Sequence, residues 1–111
     1  MEVYSVLVLS TAHITKEDAD VLHSITHRHP YILNHPFANM IMERDTGYFM
    51  KLYEEEYLND LAAYPKVMAE NMRFSTALQK IITYAYSEGH RMIEFDRDAE
   101  KYPEFFETFD W

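Results

Sequence analysis

Apolar residues occupy both alternating faces of Val3 to Leu9. That is the pattern of a strand covered on two sides, so this segment is expected in the middle of a sheet. Thr15-Lys16-Glu17-Asp18 then has the form of a helix start, with Thr15 as N-cap and acids in the first turn, where the helix dipole favours them. Ala19, Val21, Leu22 and Ile25 follow at helical spacing, and the helix is expected to end before His29-Pro30, because the residue preceding a proline is steered away from helical angles. Phe37 to Glu43 and Tyr48 to Tyr53 flank Asp45-Thr46-Gly47, which predicts a hairpin with a three-residue loop and Gly47 in the left-handed position. In that register Arg44 faces Tyr48, Met42 faces Met50 and Met40 faces Leu52, giving one apolar face.

The stretch after Glu54 has no regular period and is expected to form one or two short helices. Ser75 then caps a helix from Thr76 to Glu88 with a stripe of Leu78, Ile81, Ile82 and Ala85, stopped by Gly89. Arg91 to Phe95 is a strand, and the aromatic tail ending at Trp111 is expected to dock on the body. The order makes an α+β fold within a single domain over residues 1–111. Its simplest packing is βαββαβ and ferredoxin-like: a four-stranded antiparallel sheet in strand order 4-1-3-2, helices on one face, and a short helical insertion after strand 3.

Composition narrows the chemistry. The 111 residues are 48% hydrophobic and 15% aromatic, too apolar for a disordered acidic tail. With 19 acids against 10 bases the formal charge is -9, which opposes a direct grip on nucleic acid, since that needs clustered Lys and Arg. Stacking of bases on Phe49 and Tyr53 would have to overcome the same phosphate repulsion. The absence of cysteine removes disulfides and thiolate chemistry, and with no apolar run near the roughly 20 residues of a membrane span the expected location is cytoplasmic.

Three groups of residues invite a catalytic reading. His23 and His27 stand four apart on the predicted first helix with His29 close behind, a spacing suited to one side of a divalent metal, although a solvated helix end is the simpler reading. Ser10-Thr11-Ala12-His13 beyond the first strand pairs a hydroxyl with an imidazole, but no positioned carboxylate or oxyanion hole accompanies it, and a turn that satisfies loop backbone suffices. Asp96-Arg97-Asp98 offers oxygen ligands for Mg²⁺, yet Arg97 between the acids favours internal ion pairing. In the antiparallel arrangement Asp96 and His13 would lie at opposite edges of the sheet. The residues favour a non-enzymatic protein, and no cofactor is expected.

Leu9-Ser10-Thr11-Ala12-His13-Ile14, Gly47-Tyr48-Phe49, the Ala85 to Gly89 helix end, Phe95-Asp96-Arg97-Asp98-Ala99 and the terminal Phe109-Asp110-Trp111 together resemble a family of small uncharacterised proteins, a domain of unknown function carried by bacteria, plasmids and phages. About half of the chain carries the likeness. The stretch from Glu54 to Phe74 departs from it. The resemblance implies a mobile-element setting and transfers no catalytic residue.

The acids are clustered. Tyr53 to Asp60 holds four acids and no base, and Glu94 to Trp111 holds seven acids against Arg97 and Lys101. Such surfaces attract basic grooves, and interleaved aromatics provide anchors that charge alone does not. The expected function is therefore that of a small acidic protein-binding protein of mobile-element or phage origin. It would inhibit a host nucleic-acid-directed defence complex, of anti-CRISPR or anti-restriction type, by imitating nucleic acid. The partner-binding residues are expected to be Tyr53, Glu54, Glu55, Glu56, Tyr57 and Asp60 in the first cluster, and Glu94, Asp96, Asp98, Glu100, Glu104, Phe105, Phe106 and Trp111 in the second. The partner is expected to be a basic protein, with homo-oligomers open. The alternative is a small metal-dependent hydrolase or metal-binding protein built on His23, His27 and His29.

Overall fold

A computed structural model describes residues 1, 3–27, 41–52 and 74–111. Strand β1 (Val6–Leu9) runs through one turn of 3-10 helix (Thr11–His13) into helix α1 (Lys16–Thr26). Strands β2 (Ile41–Arg44) and β3 (Gly47–Lys51) form a hairpin, and helix α2 (Thr76–Ser87) precedes strand β4 (Met92–Asp96). The expected helical insertion between Tyr53 and Phe74 lies outside the described residues, apart from Phe74 itself.

The class is α+β, as the chain pattern predicts, but the sheet is mixed and its order is β1-β4-β3-β2. β4 pairs parallel with β1 and antiparallel with β3. This corrects the antiparallel ferredoxin-like order 4-1-3-2: β4 takes the central place expected for β1, and β1 becomes an edge. Burial gives the physical reason. Ile93 and Phe95 of β4 are fully buried, whereas in β1 only Leu9 is, and Val6 and Val8 remain 42% and 43% exposed. Apolar residues on both faces of β1 therefore do not reflect two covered faces.

The hairpin is present with a tighter turn than expected. Arg44 pairs with Gly47, Glu43 with Tyr48, Met42 with Phe49 and Ile41 with Met50, leaving Asp45 and Thr46 as the loop. The register is one residue away from the expected one, and a one-residue slip exchanges the two faces of a strand. Ile41 and Met50 therefore turn to the core together, while Met42 is exposed. Gly47 is not left-handed, since among glycines only Gly89 has positive φ, 84°. Gly47 is needed for space: a Cβ there would sit 1.7 Å from the Phe95 carbonyl oxygen.

One hydrophobic cluster joins this sheet face to both helices, with Leu9, Ile41, Met50, Ile93 and Phe95 meeting Ala19 and Leu22 of α1 and Leu78, Ile81, Ile82 and Ala85 of α2. The stripe of α2 is the one its periodicity predicts. Ser75 caps it, its Oγ accepting from Leu78 N–H at 3.1 Å. Gly89 ends it, with Gly89 N–H donating to Tyr86 O and His90 N–H to Ala85 O, the paired bonds of a Schellman stop.

Thr15 caps α1 as expected: its Oγ1 accepts from Asp18 N–H, and Asp18 returns the bond to Thr15 N–H. Asp18 also does something its first-turn position does not reveal. Buried, it accepts from Ser75 N–H at 2.8 Å and from the Ser75 hydroxyl, so one carboxylate ties the starts of both helices together. Asp18→Asn keeps the shape but loses an acceptor that serves two donors. It is expected to cost about 1 to 2 kcal/mol in urea unfolding, and a smaller loss than Thr15→Ala would show that the tie to Ser75 contributes little.

Candidate functional site

Parallel pairing of β1 with β4 brings their carboxyl ends to the same edge of the sheet. Open sheets containing parallel strands commonly present functional groups there. His13 and Asp96 are thus on one edge, a correction to the opposite edges that the antiparallel order implies. The β2–β3 loop joins them, fastened by Arg97 N–H donating to Thr46 O at 2.9 Å. The result is a cleft of about 510 Å³ whose walls include Thr11, Arg44, Thr46, Arg97, Lys101 and Trp111. Arg97 and Lys101 make no ion pair among the described residues.

The serine and histidine of the Ser10 to His13 segment are both committed to structure. Ser10 is buried and its Oγ accepts from Ala12 N–H at 3.1 Å, capping the 3-10 turn. His13 is 0% exposed. Its Nδ1 lies 2.9 Å from Glu107 O, and its Nε2 lies 2.9 Å from Tyr102 N–H. A carbonyl can only accept and an amide can only donate, so these partners assign the proton to Nδ1 and leave neither nitrogen for a nucleophile. His13 instead clips the C-terminal tail to the body, with Phe106 against its ring at 5.8 Å. Phe109 N–H adds a bond to Ala12 O, and Trp111 Nε1 donates to Ile14 O. The aromatic tail is docked, as its composition suggests.

Docking divides the acids and aromatics of the second cluster. Arg44, reaching across the sheet from β2, contacts Glu94 and lies 3.2 Å from Asp96, while its Nε is 3.7 Å from Asp45. Asp96 Oδ1 accepts from Asp98 N–H at 2.9 Å. That hydrogen bond, reinforced by the charges of Arg44 and Arg97, holds the Asp96 carboxyl below its ordinary range. Both oxygens of Asp96 are thereby occupied. Asp98, Glu100 and Glu104 remain exposed. Tyr102 and Phe106 pack against the core, whereas Phe105 is 70% and Trp111 58% exposed. Tyr53, Glu54, Glu55, Glu56, Tyr57 and Asp60 lie outside the described residues.

The other grouping crosses from α1 to β2. His23 and His27, one helical turn apart, have ring centroids 3.9 Å from each other. His27 Nε2 is 2.8 Å from Glu43 Oε2, and the Thr26 hydroxyl donates to the same oxygen at 3.3 Å. One ligand atom from each of His23, His27 and Glu43 lies within 4.8 Å of the others, and all three residues are exposed. His29, the third member suggested by spacing, lies outside the described residues. Glu43 is the residue that sequence reasoning missed, because only the packing of α1 against β2 brings it to the imidazoles. Tyr48 lies nearby. Burial first, then the negative charges of Glu43 and Asp20, push its phenol above the ordinary tyrosine value.

No helix among the described residues is long and apolar enough to cross a membrane. No curated protein and no solved structure matches the chain. A family model does match, over residues 6–111, and its description is "Family of unknown function (DUF5983) C-terminal domain". A match of that extent, carrying both the β1 to His13 segment and the docked tail, makes this chain a member of the DUF5983 family, through that family's C-terminal domain.

Proposed function

We propose that the protein is a small acidic protein-binding protein of mobile-element or phage origin that docks on a basic host partner. Its site is the nucleic-acid channel of a defence complex, where it acts as an inhibitor of the anti-CRISPR or anti-restriction type. The observation that carries the reading is Phe105. Its side chain is 70% exposed, yet its backbone is held, with Phe105 and Phe106 N–H both donating to Tyr102 O at 3.0 Å. An aromatic residue fixed in place and left in water contributes little to folding, whereas it is well suited to fill a pocket on another protein.

Glu104 and Glu107 flank the Phe105-Phe106 pair, and Glu100 and Asp110 lie in the same tail. These exposed acids provide the long-range attraction, with Phe105 and Trp111 as anchors. Phe105→Ala is expected to weaken partner binding by about 2 kcal/mol, roughly thirtyfold, without loss of stability. Replacing Glu54, Glu55 and Glu56, or Glu104 and Glu107, by Lys is expected to slow association at about 0.05 M salt and matter much less at about 0.5 M. The test is capture from a bacterial lysate at both salt concentrations, followed by affinity measurement on the purified partner. Retention of the same basic protein by wild type and every variant, independent of salt, would remove the basis for this reading.

A further inference from the structure

We infer that His23, His27 and Glu43 form a binding site for a divalent transition metal of the zinc type, clamping α1 to β2. The donors are chemically suited to it: two imidazole nitrogens and one carboxylate oxygen are the ligand set of open zinc sites, in which three protein ligands hold the ion and a fourth position is left for water or a further ligand. Their separation within 4.8 Å is close to what a shared ion at about 2.0 to 2.2 Å from each ligand requires, and small rotations of exposed side chains close the difference.

The helix supplies two of these ligands without adjustment of the backbone, since residues four apart project from one face. The strand supplies the third. The 2.8 Å contact between His27 and Glu43 accounts for only part of the arrangement. His23 lies with its ring 3.9 Å from that of His27, and neither nitrogen of the His23 ring is hydrogen-bonded to another described residue. Two imidazoles this close on one helix face can direct a nitrogen each at one cation. The Thr26 hydroxyl lies between the His23 carbonyl, 3.0 Å away, and the Glu43 carboxylate, 3.3 Å away, so it sits directly behind two members of the set.

This site is separate from the tail that carries the protein-binding proposal. It touches the cleft through Glu43, which is also part of the cleft wall.

The experiment is a calorimetric titration of untagged, chelator-stripped full-length protein with Zn²⁺, repeated with Co²⁺ to read coordination from the visible absorption. One saturable equivalent tighter than about 0.1 mM is expected. His23→Ala, His27→Ala and Glu43→Gln should each weaken it by about tenfold or more, while His90→Ala leaves it unchanged. Zn²⁺ should also raise the melting temperature of wild type and not that of His23→Ala. All three ligands are exposed, so the variants should fold as wild type by circular dichroism. Absence of saturable binding, affinity unchanged in His23→Ala, or affinity independent of Glu43 would each overturn the site.

Discussion

Replacement of Gly47 by alanine is expected to destabilise the protein by about 3 kcal/mol, a large effect for one added methyl group. The cause is contact, not backbone freedom. Gly47 pairs with Asp96 where β3 meets β4, and an added Cβ would stand 1.7 Å from the Phe95 carbonyl oxygen and 2.7 Å from its carbonyl carbon. Both atoms belong to the backbone of the central strand, so no side-chain rotation relieves the overlap. The strands must part, and Phe95, fully buried one residue away, must move with them. Gly89→Ala is the natural comparison. There an added Cβ meets nothing within 4 Å, and only the positive φ of 84° opposes it, at about 1 to 2 kcal/mol. Urea titrations of the two variants should therefore rank Gly47→Ala as the more damaging. Equal losses would mean that close approach of β3 to β4 is not what reserves position 47 for glycine.

The same residue explains why the sheet was only partly legible. The pattern Asp45-Thr46-Gly47 correctly marks a turn, but glycine has two uses, and the sequence does not distinguish a left-handed backbone from a missing Cβ. A left-handed Gly47 implies a loop one residue longer than the observed one and a register shifted by one. Helix α2 was readable throughout because its cap, stripe and stop all lie within fifteen residues, Ser75 to Gly89. The place of β4 depends on pairing with β1, for example Leu7 with Ile93, across most of the chain, and no local pattern encodes it. Asp18 and Glu43 illustrate the same limit at single residues. One reads as a first-turn acid and turns out to hold the start of α2, and the other reads as a strand acid and turns out to meet two imidazoles. Charge was legible as a total and less so as a surface, because Arg44 takes up Glu94 and Asp96 from the second acidic cluster and leaves Asp98, Glu100 and Glu104 to solvent.

His13→Ala is the substitution expected to connect stability with the proposed function. The imidazole is fully buried and bonded at both nitrogens to tail backbone that comes about ninety residues later, at Tyr102 and Glu107. Alanine removes both bonds, leaves Tyr102 N–H without its partner, and opens a space beneath Phe106; the expected loss is about 3 kcal/mol. The damage should be concentrated in the tail, since the strands and α2 keep their own contacts. Hydrogen exchange at Tyr102, Phe105 and Phe106 should accelerate far more than at Ile93 or Phe95, and the fluorescence of Trp111, held through Ile14 O, should move toward that of exposed tryptophan. Because Phe105 sits on the turn that His13 secures, partner affinity should fall with it although His13 itself is inaccessible. His13→Asn, which retains one donor and one acceptor, should recover part of both losses. A uniform rise in exchange over the whole molecule would assign His13 to the common core, and full partner affinity in His13→Ala would separate the docked tail from binding.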